Sequence, residues 1–223
     1  MGDGNIVLRV VETLLLMIVS LTVHEFAHAF VATKLGDTTA KDQGRLTLAP
    51  HVHLDPIGSL LIPALGAISG FPFIGWARPV PFNPARFKRN INMWRGSALV
   101  AVAGPLSNLV LAVVAALVMR VLQEVPLPEN VLGMLARVLP SLLLLNVFLF
   151  LFNLLPLPPL DGGYLIPRSY EHVRETLARY SFLIFIGLMV TGLFRRLLVP
   201  PMQLIAGGLV WSTGLSPVWF SGL

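Results

Sequence analysis

Long apolar runs alternate with short polar stretches along the 223 residues, and that alternation predicts helices that cross a membrane. The first run, from about Ile6 to Leu35, is interrupted by Arg9 and Glu12 near its start and by "HEFAH" at 24–28. At a rise of ~1.5 Å per residue it crosses a hydrocarbon core of ~30 Å with tilt to spare. The polar stretch "GDTTAKDQGRLTLAPHVHLDP" follows, and the alternation of "RLTL" predicts a short strand at 45–48. Residues 57–76 are apolar again but carry Pro63, Gly66, Gly70 and Pro72, which argues against a straight span and leaves a re-entrant hairpin as the alternative.

After a basic, interfacial segment, "ARPVPFNPARFKRNINMWR", residues 97–119 predict a span. Its Ala101, Ala103, Gly104, Ser107, Ala112, Ala115 and Ala116 allow close helix contact. A loop is expected over 120–137, then a helix over 139–155 that ends in "NLLPLPPLDGG", where Pro156, Pro158 and Pro159 predict extended or unwound backbone. A further span is expected at 181–198, and an apolar tail rich in Gly and Pro at 202–220 crosses the bilayer or lies in its interface. The expected fold is an all-α polytopic membrane protein of about 4 to 6 transmembrane helices, with a small membrane-associated β element after the first span. Residues 1–223 are expected to form one integral membrane domain, its core at about 6–165 and extra helices at about 170–223, with no soluble regulatory domain evident.

Composition sharpens this picture. With 55% hydrophobic and 12% charged residues, the chain is too apolar for a soluble domain of its size. It has no cysteine, so a metal ion must be held by His, Asp or Glu. The net charge of +5 falls in short clusters between apolar runs, which fits membrane-flanking loops rather than nucleic acid. If "HEFAH" lies toward the cytoplasmic end of its helix, the loops at 34–95 and 168–179 are inside and hold 11 of the 16 Lys and Arg residues. Arg9, Arg120, Arg137, Arg195 and Arg196 then face outside, an imbalance that supports this orientation. No myristoylation signal follows Gly2, and the first run is expected to be retained as a span rather than cleaved as a signal peptide.

Three ionisable groups within five residues of a span are costly unless they serve a purpose. In a helix, His24 and His28 share one face and can direct imidazole nitrogens at one ion, with Glu25 beside them. This is HExxH spacing: two zinc ligands and a carboxylate placed to take a proton from a water. The plainer reading, neutral histidines inside a helix bundle, would require a separate partner for each group, whereas one divalent cation satisfies all three. A tetrahedral ion that keeps one position for water needs a third protein ligand. Asp161 of "LDGG" is favoured, because Gly162 and Gly163 permit a tight approach, although an Asp before Gly is also a common turn residue. His51 and His53, two apart and so able to share one face of extended backbone, are its rivals, although a polar loop explains them without metal.

"HEFAH", "AGPLSN" and "NLLPLPPLDGG" resemble, in order and spacing, the core of the site-2 proteases, the intramembrane zinc metalloproteases. "GRLTLAPHVHLDPIGSL" and "WARPVPFNPARF" are similar to the short bacterial and archaeal branch, and the likeness covers about residues 15–165. The resemblance implies one Zn2+ per chain on His24, His28 and Asp161, with Glu25 as catalytic base. It implies that Asn153 positions the substrate or its oxyanion, and it places Asn108 near the site, where an interhelical hydrogen bond is the alternative role. It further implies cleavage of transmembrane-helix protein substrates in the bilayer of the cell (cytoplasmic) membrane. "RLTL" and the broken 57–76 segment are expected to pair with an unwound substrate by strand addition. The competing classes are a polytopic metal-ion transporter, which calls for ionisable groups spread through the bilayer depth, and a zinc-binding scaffold without turnover, which calls for a missing base.

Overall fold

A computed structural model of the chain describes residues 3–69, 75–216 and 219. Seven α-helices run through them: α1 (Asp3–Leu35), α2 (Thr39–Asp42), α3 (Ile62–Ser69), α4 (Met93–Leu122), α5 (Glu129–Asn153), α6 (Glu171–Val190) and α7 (Leu193–Thr213). Four are long and apolar enough to cross a membrane: Ile6–Leu35 within α1, then α4, α5 and α7. Val7, Val11, Leu15 and Val19, each four residues from the next, lie exposed along one stripe of α1. Such a stripe is unfavourable in water and at home in hydrocarbon, where each helix satisfies its own backbone. The chain is a multi-pass membrane protein.

The expected β element is absent: among the described residues there is no strand, and 45–48 is irregular. The alternation of "RLTL" is real, but its residues face local partners rather than a ladder. Arg45 turns inward onto backbone carbonyls, Leu46 packs against Ala29, Ala40 and Val80, and the Thr47 carbonyl accepts from the His53 ring. The 57–76 segment is not a span either. Asp55 caps it through bonds from the N–H groups of Ile57 and Gly58, and a π-helical turn at Pro56–Leu61 leads directly into α3. The apolar helix Pro56–Ile68 is too short to cross, and residues 70–74 lie outside the described residues.

Two other boundaries move. Helix α5 begins at Glu129, inside the expected loop, where Pro128 precedes it and a carboxylate sits favourably in the first turn. The span expected at 181–198 is divided by Gly192, whose φ of +70° ends α6 and starts α7. The last span is therefore 193–213 and takes in part of the expected tail.

The chain forms two compact units, Met1–Gly104 and Pro105–Leu223. In the first, small residues on one face of α1 let the following loop pack closely. Ala29 meets Ala40 and Val80, and Ala32 meets Phe87 and Val100. In the second, Ala112, Ala115, Ala116 and Met119 of α4 pack with Leu143 and Val147 of α5 and Ala206 of α7. Part of the small-residue surface expected on the 97–119 span is thus a helix contact. Asn108 Nδ2 donates to Asn146 Oδ1 over 2.8 Å between α4 and α5, and Asn146 Nδ2 donates to the Leu142 carbonyl over 2.9 Å.

Candidate metal centre

Within the first unit, α1 brings His24, Glu25 and His28 together, at 5%, 7% and 7% exposure. The two Nε2 atoms are 3.1 Å apart, with the rings edge-on at a centroid separation of 4.7 Å. His28 Nδ1 lies 2.7 Å from the Val100 carbonyl. A carbonyl only accepts, so Nδ1 carries the proton and the Nε2 lone pair is turned toward His24. Nitrogens bound to one tetrahedral zinc at ~2.05 Å stand about 3.3 Å apart, so these imidazoles fit a shared ion with a shift of a few tenths of an ångström.

Gly104, in "AGP" of α4, makes room for the rings. A Cβ there would lie 2.3 Å from His28 Nε2 and 2.6 Å from His24 Cε1, so no side chain fits without displacing the imidazoles.

Glu25 is held from the other side. Its Oε2 accepts from the Val80 N–H over 2.9 Å. Val80 belongs to a run without regular secondary structure, 76–83, that is fixed along its length. Trp76 N–H donates to the Gly58 carbonyl at 3.1 Å and Arg78 N–H to the His53 carbonyl at 2.8 Å. Ser59 Oγ donates to the Trp76 carbonyl at 2.8 Å, and Asn83 N–H donates to Asp37 Oδ2 at 2.5 Å. The buried Arg45 donates to the carbonyls of Val52 and Arg78, and to that of Pro79 at 3.1 Å. Burial lowers the pKa of this guanidinium from its ordinary value, the negative charge of Glu25 opposes that shift, and Arg78 adds to it.

The rival ligands do not form a pair. His51 is exposed on a 3-10 turn, Pro50–Val52, while His53 is fully buried and donates through Nε2 to the Thr47 carbonyl at 2.8 Å. Burial lowers the His53 pKa, the bond to Thr47 works against this, and the nearby Arg45 charge reinforces it. His53 is thus a neutral structural residue of the loop.

The other predicted residues belong to the second unit. Asn153 is the last residue of α5 and donates through Nδ2 to the Leu149 carbonyl at 3.0 Å. Asp161, half-buried, opens a 3-10 turn, Asp161–Leu165, beyond the prolines. A Cβ on Gly162 would lie 2.2 Å from the Leu155 carbonyl oxygen, so the glycine after Asp161 lets the chain fold back on the end of α5. Asn108 makes the interhelical bond to Asn146. Sequence reasoning missed Asn146, Asp37, Arg45 and the Val80 N–H. Each was legible only as a lone polar residue or as a backbone group between prolines.

The profile of peptidase family M50 matches residues 132–193. "Putative zinc metalloprotease YwhC" of Bacillus subtilis is 42% identical over 198 residues, covering 84% of this chain and 84% of that protein. "Putative zinc metalloprotease Rip2" of Mycolicibacterium smegmatis is 33% identical over 80% of this chain and 66% of its own length. Rip2 of Mycobacterium tuberculosis is 33% identical over 72% of this chain and 58% of its own length. No solved structure matches. At 42% identity over most of both chains, the protein belongs to peptidase family M50, the family of the site-2 proteases.

Proposed function

We propose that this chain is an intramembrane zinc metalloprotease that hydrolyses peptide bonds within or near the transmembrane segments of other membrane proteins. One observation carries the reading: a buried pair of imidazoles, 3.1 Å apart at Nε2, with a carboxylate beside them, inside a helix long and apolar enough to cross a membrane. His24 and His28 hold one zinc ion per chain. Asp161 is its third ligand, supported by the match of "NLLPLPPLDGG" to the family motif and by the glycine that lets the chain turn back at that point. When bound, zinc lowers the pKa of a water toward ~7 and polarises the scissile carbonyl.

The side chains do the rest. Glu25, oriented through Oε2 by the Val80 N–H, uses its remaining lone pairs to take the water proton and return it to the leaving amine. Asn153, at the end of α5, exchanges its bond to the Leu149 carbonyl for one to the substrate backbone or the oxyanion. Asn108 fixes α4 to α5 through Asn146. The whole chain acts as one catalytic domain in the cytoplasmic membrane, with the site toward the cytoplasm, where the basic loops at 34–95 and 168–179 lie. A metal-ion transporter finds no support, because 97–119 and 139–155 carry no charged side chain and offer no ion path through the bilayer depth.

The test is cleavage of a panel of single-span substrates by the purified protein, with and without a zinc chelator, the cut mapped by mass spectrometry. The reading expects a cut inside or beside the apolar span, lost on chelation and restored by zinc. Cleavage that survives chelation, or cuts confined to water-soluble regions, would contradict it.

A further inference from the structure

Among the described residues Glu25 accepts from one backbone donor, the Val80 N–H, and the sequence around that donor is unusual. Val80 stands between Pro79 and Pro81, so across 79–81 only residue 80 has an N–H to give. A slip of this segment by one residue would offer the carboxylate a proline nitrogen without a hydrogen. The register of 76–83 along α1 therefore decides whether the Val80 N–H meets the Glu25 carboxylate. Arg45 takes the carbonyls of Arg78 and Pro79, the two residues immediately before Val80, and joins them to the Val52 carbonyl across the loop. Only a guanidinium has a planar fork of donors that can bridge several carbonyls at fixed spacing. A buried cation is also a costly way to tie a loop, and its charge interacts favourably with that of Glu25.

From this we infer that Arg45 is a positioning residue for the catalytic base: it locks the register of 78–80 so that the Val80 N–H holds the Glu25 carboxylate in its working orientation. The inference rests on the reading of Glu25 as the base. Asp37 and the His53 carbonyl fix the outer parts of the same run, but neither touches the backbone atoms next to Val80 as Arg45 does.

The experiment compares full-length wild type with Arg45→Met, Arg45→Lys and Glu25→Gln in detergent. It measures zinc content, hydrogen–deuterium exchange of peptides covering 76–83, and kcat and KM on a fluorogenic peptide with one apolar span. Arg45→Met should keep its zinc, exchange faster in 76–83 with the α4–α7 helices unchanged, and lose roughly 10- to 100-fold in kcat with KM little altered, the size expected for a misplaced catalytic group. Arg45→Lys, which keeps the charge but not the fork, should recover part of that loss. Unchanged exchange in Arg45→Met, or faster exchange with wild-type kcat, would overturn the inference, the second by reducing Arg45 to a loop brace. Should Arg45→Met fail to fold, Arg45→Lys decides, and wild-type kcat there would likewise overturn it. Glu25→Gln separates the two readings: wild-type cleavage by that variant would remove the base itself, whatever Arg45 does.

Discussion

Replacing Gly104 by alanine places a methyl carbon 2.3 Å from His28 Nε2, 2.5 Å from His28 Cε1 and 2.6 Å from His24 Cε1. Ordinary contact between such atoms begins near ~3.5 Å, so the overlap is about 1 Å. The rings have little freedom to yield, because His28 is held to the Val100 carbonyl at 2.7 Å and the two Nε2 atoms are already 3.1 Å apart. Two effects oppose each other. Alanine favours a helix over glycine by about 1 kcal/mol, whereas forcing a methyl into a packed interior costs about 1–3 kcal/mol. The balance is loss of stability or displacement of the imidazoles, and displacement is the easier route because it moves side chains rather than helices. Zinc affinity should then fall roughly 10- to 100-fold, as it does when groups that orient metal-binding histidines are altered. Competition with a chromophoric chelator measures the affinity, and thermal unfolding with and without zinc shows how much of the ligand's stabilisation survives. Wild-type zinc affinity together with a wild-type melting temperature would refute the packing argument.

Further outcomes follow from the same contacts. Asn108→Ala removes the bond donated to Asn146 Oδ1 and should cost about 0.6–1.7 kcal/mol in a detergent-denaturant titration, the range of interhelical hydrogen bonds in membranes, with zinc content unchanged. Asp37→Ala removes the acceptor for Thr39 and for the Asn83 N–H, and should raise exchange around residue 83 and lower stability by about 1–3 kcal/mol. His53 supplies a pH dependence. Its folded pKa is below the ordinary 6.5, so the unfolded chain takes up the proton first, and the stability His53 contributes is complete above 6.5 and lost as pH falls below it. His53→Gln, which can still donate to the Thr47 carbonyl, should flatten the unfolding midpoint between about pH 7 and 5, and an unchanged slope would count against the burial argument.

Much of the candidate site was legible because membrane physics makes its residues conspicuous. His24, Glu25 and His28 stand out in an apolar run, and their spacing on a helix face needs no tertiary information. The α4 span was readable for the same reason, its apolar run bounded by polar ends. Where tertiary contacts decide, the sequence misled. "RLTL" has the period of a strand, yet Arg45 is drawn inward by carbonyls more than thirty residues away in the chain, and among the described residues there is no second strand to pair with it. The early start of α5 was not legible because Glu129 and Arg137 look like loop residues, yet both sit exposed on the helix. Gly192 in an apolar run gives no sign of its left-handed backbone, so the α6–α7 break was invisible. The Val80 N–H is a backbone group, and only the flanking prolines hint that it matters.

The central claim is that a buried zinc site in a membrane helix breaks peptide bonds with Glu25 as its base, and the most direct test is Glu25→Gln beside wild type. Zinc content and cleavage of a single-span substrate are measured on the same preparations. The account predicts about one zinc per chain in both proteins and cleavage lost only in the variant, since glutamine keeps the shape and the acceptor oxygen for Val80 but cannot take a proton. Equal cleavage by the two proteins, or no zinc in either, would contradict it.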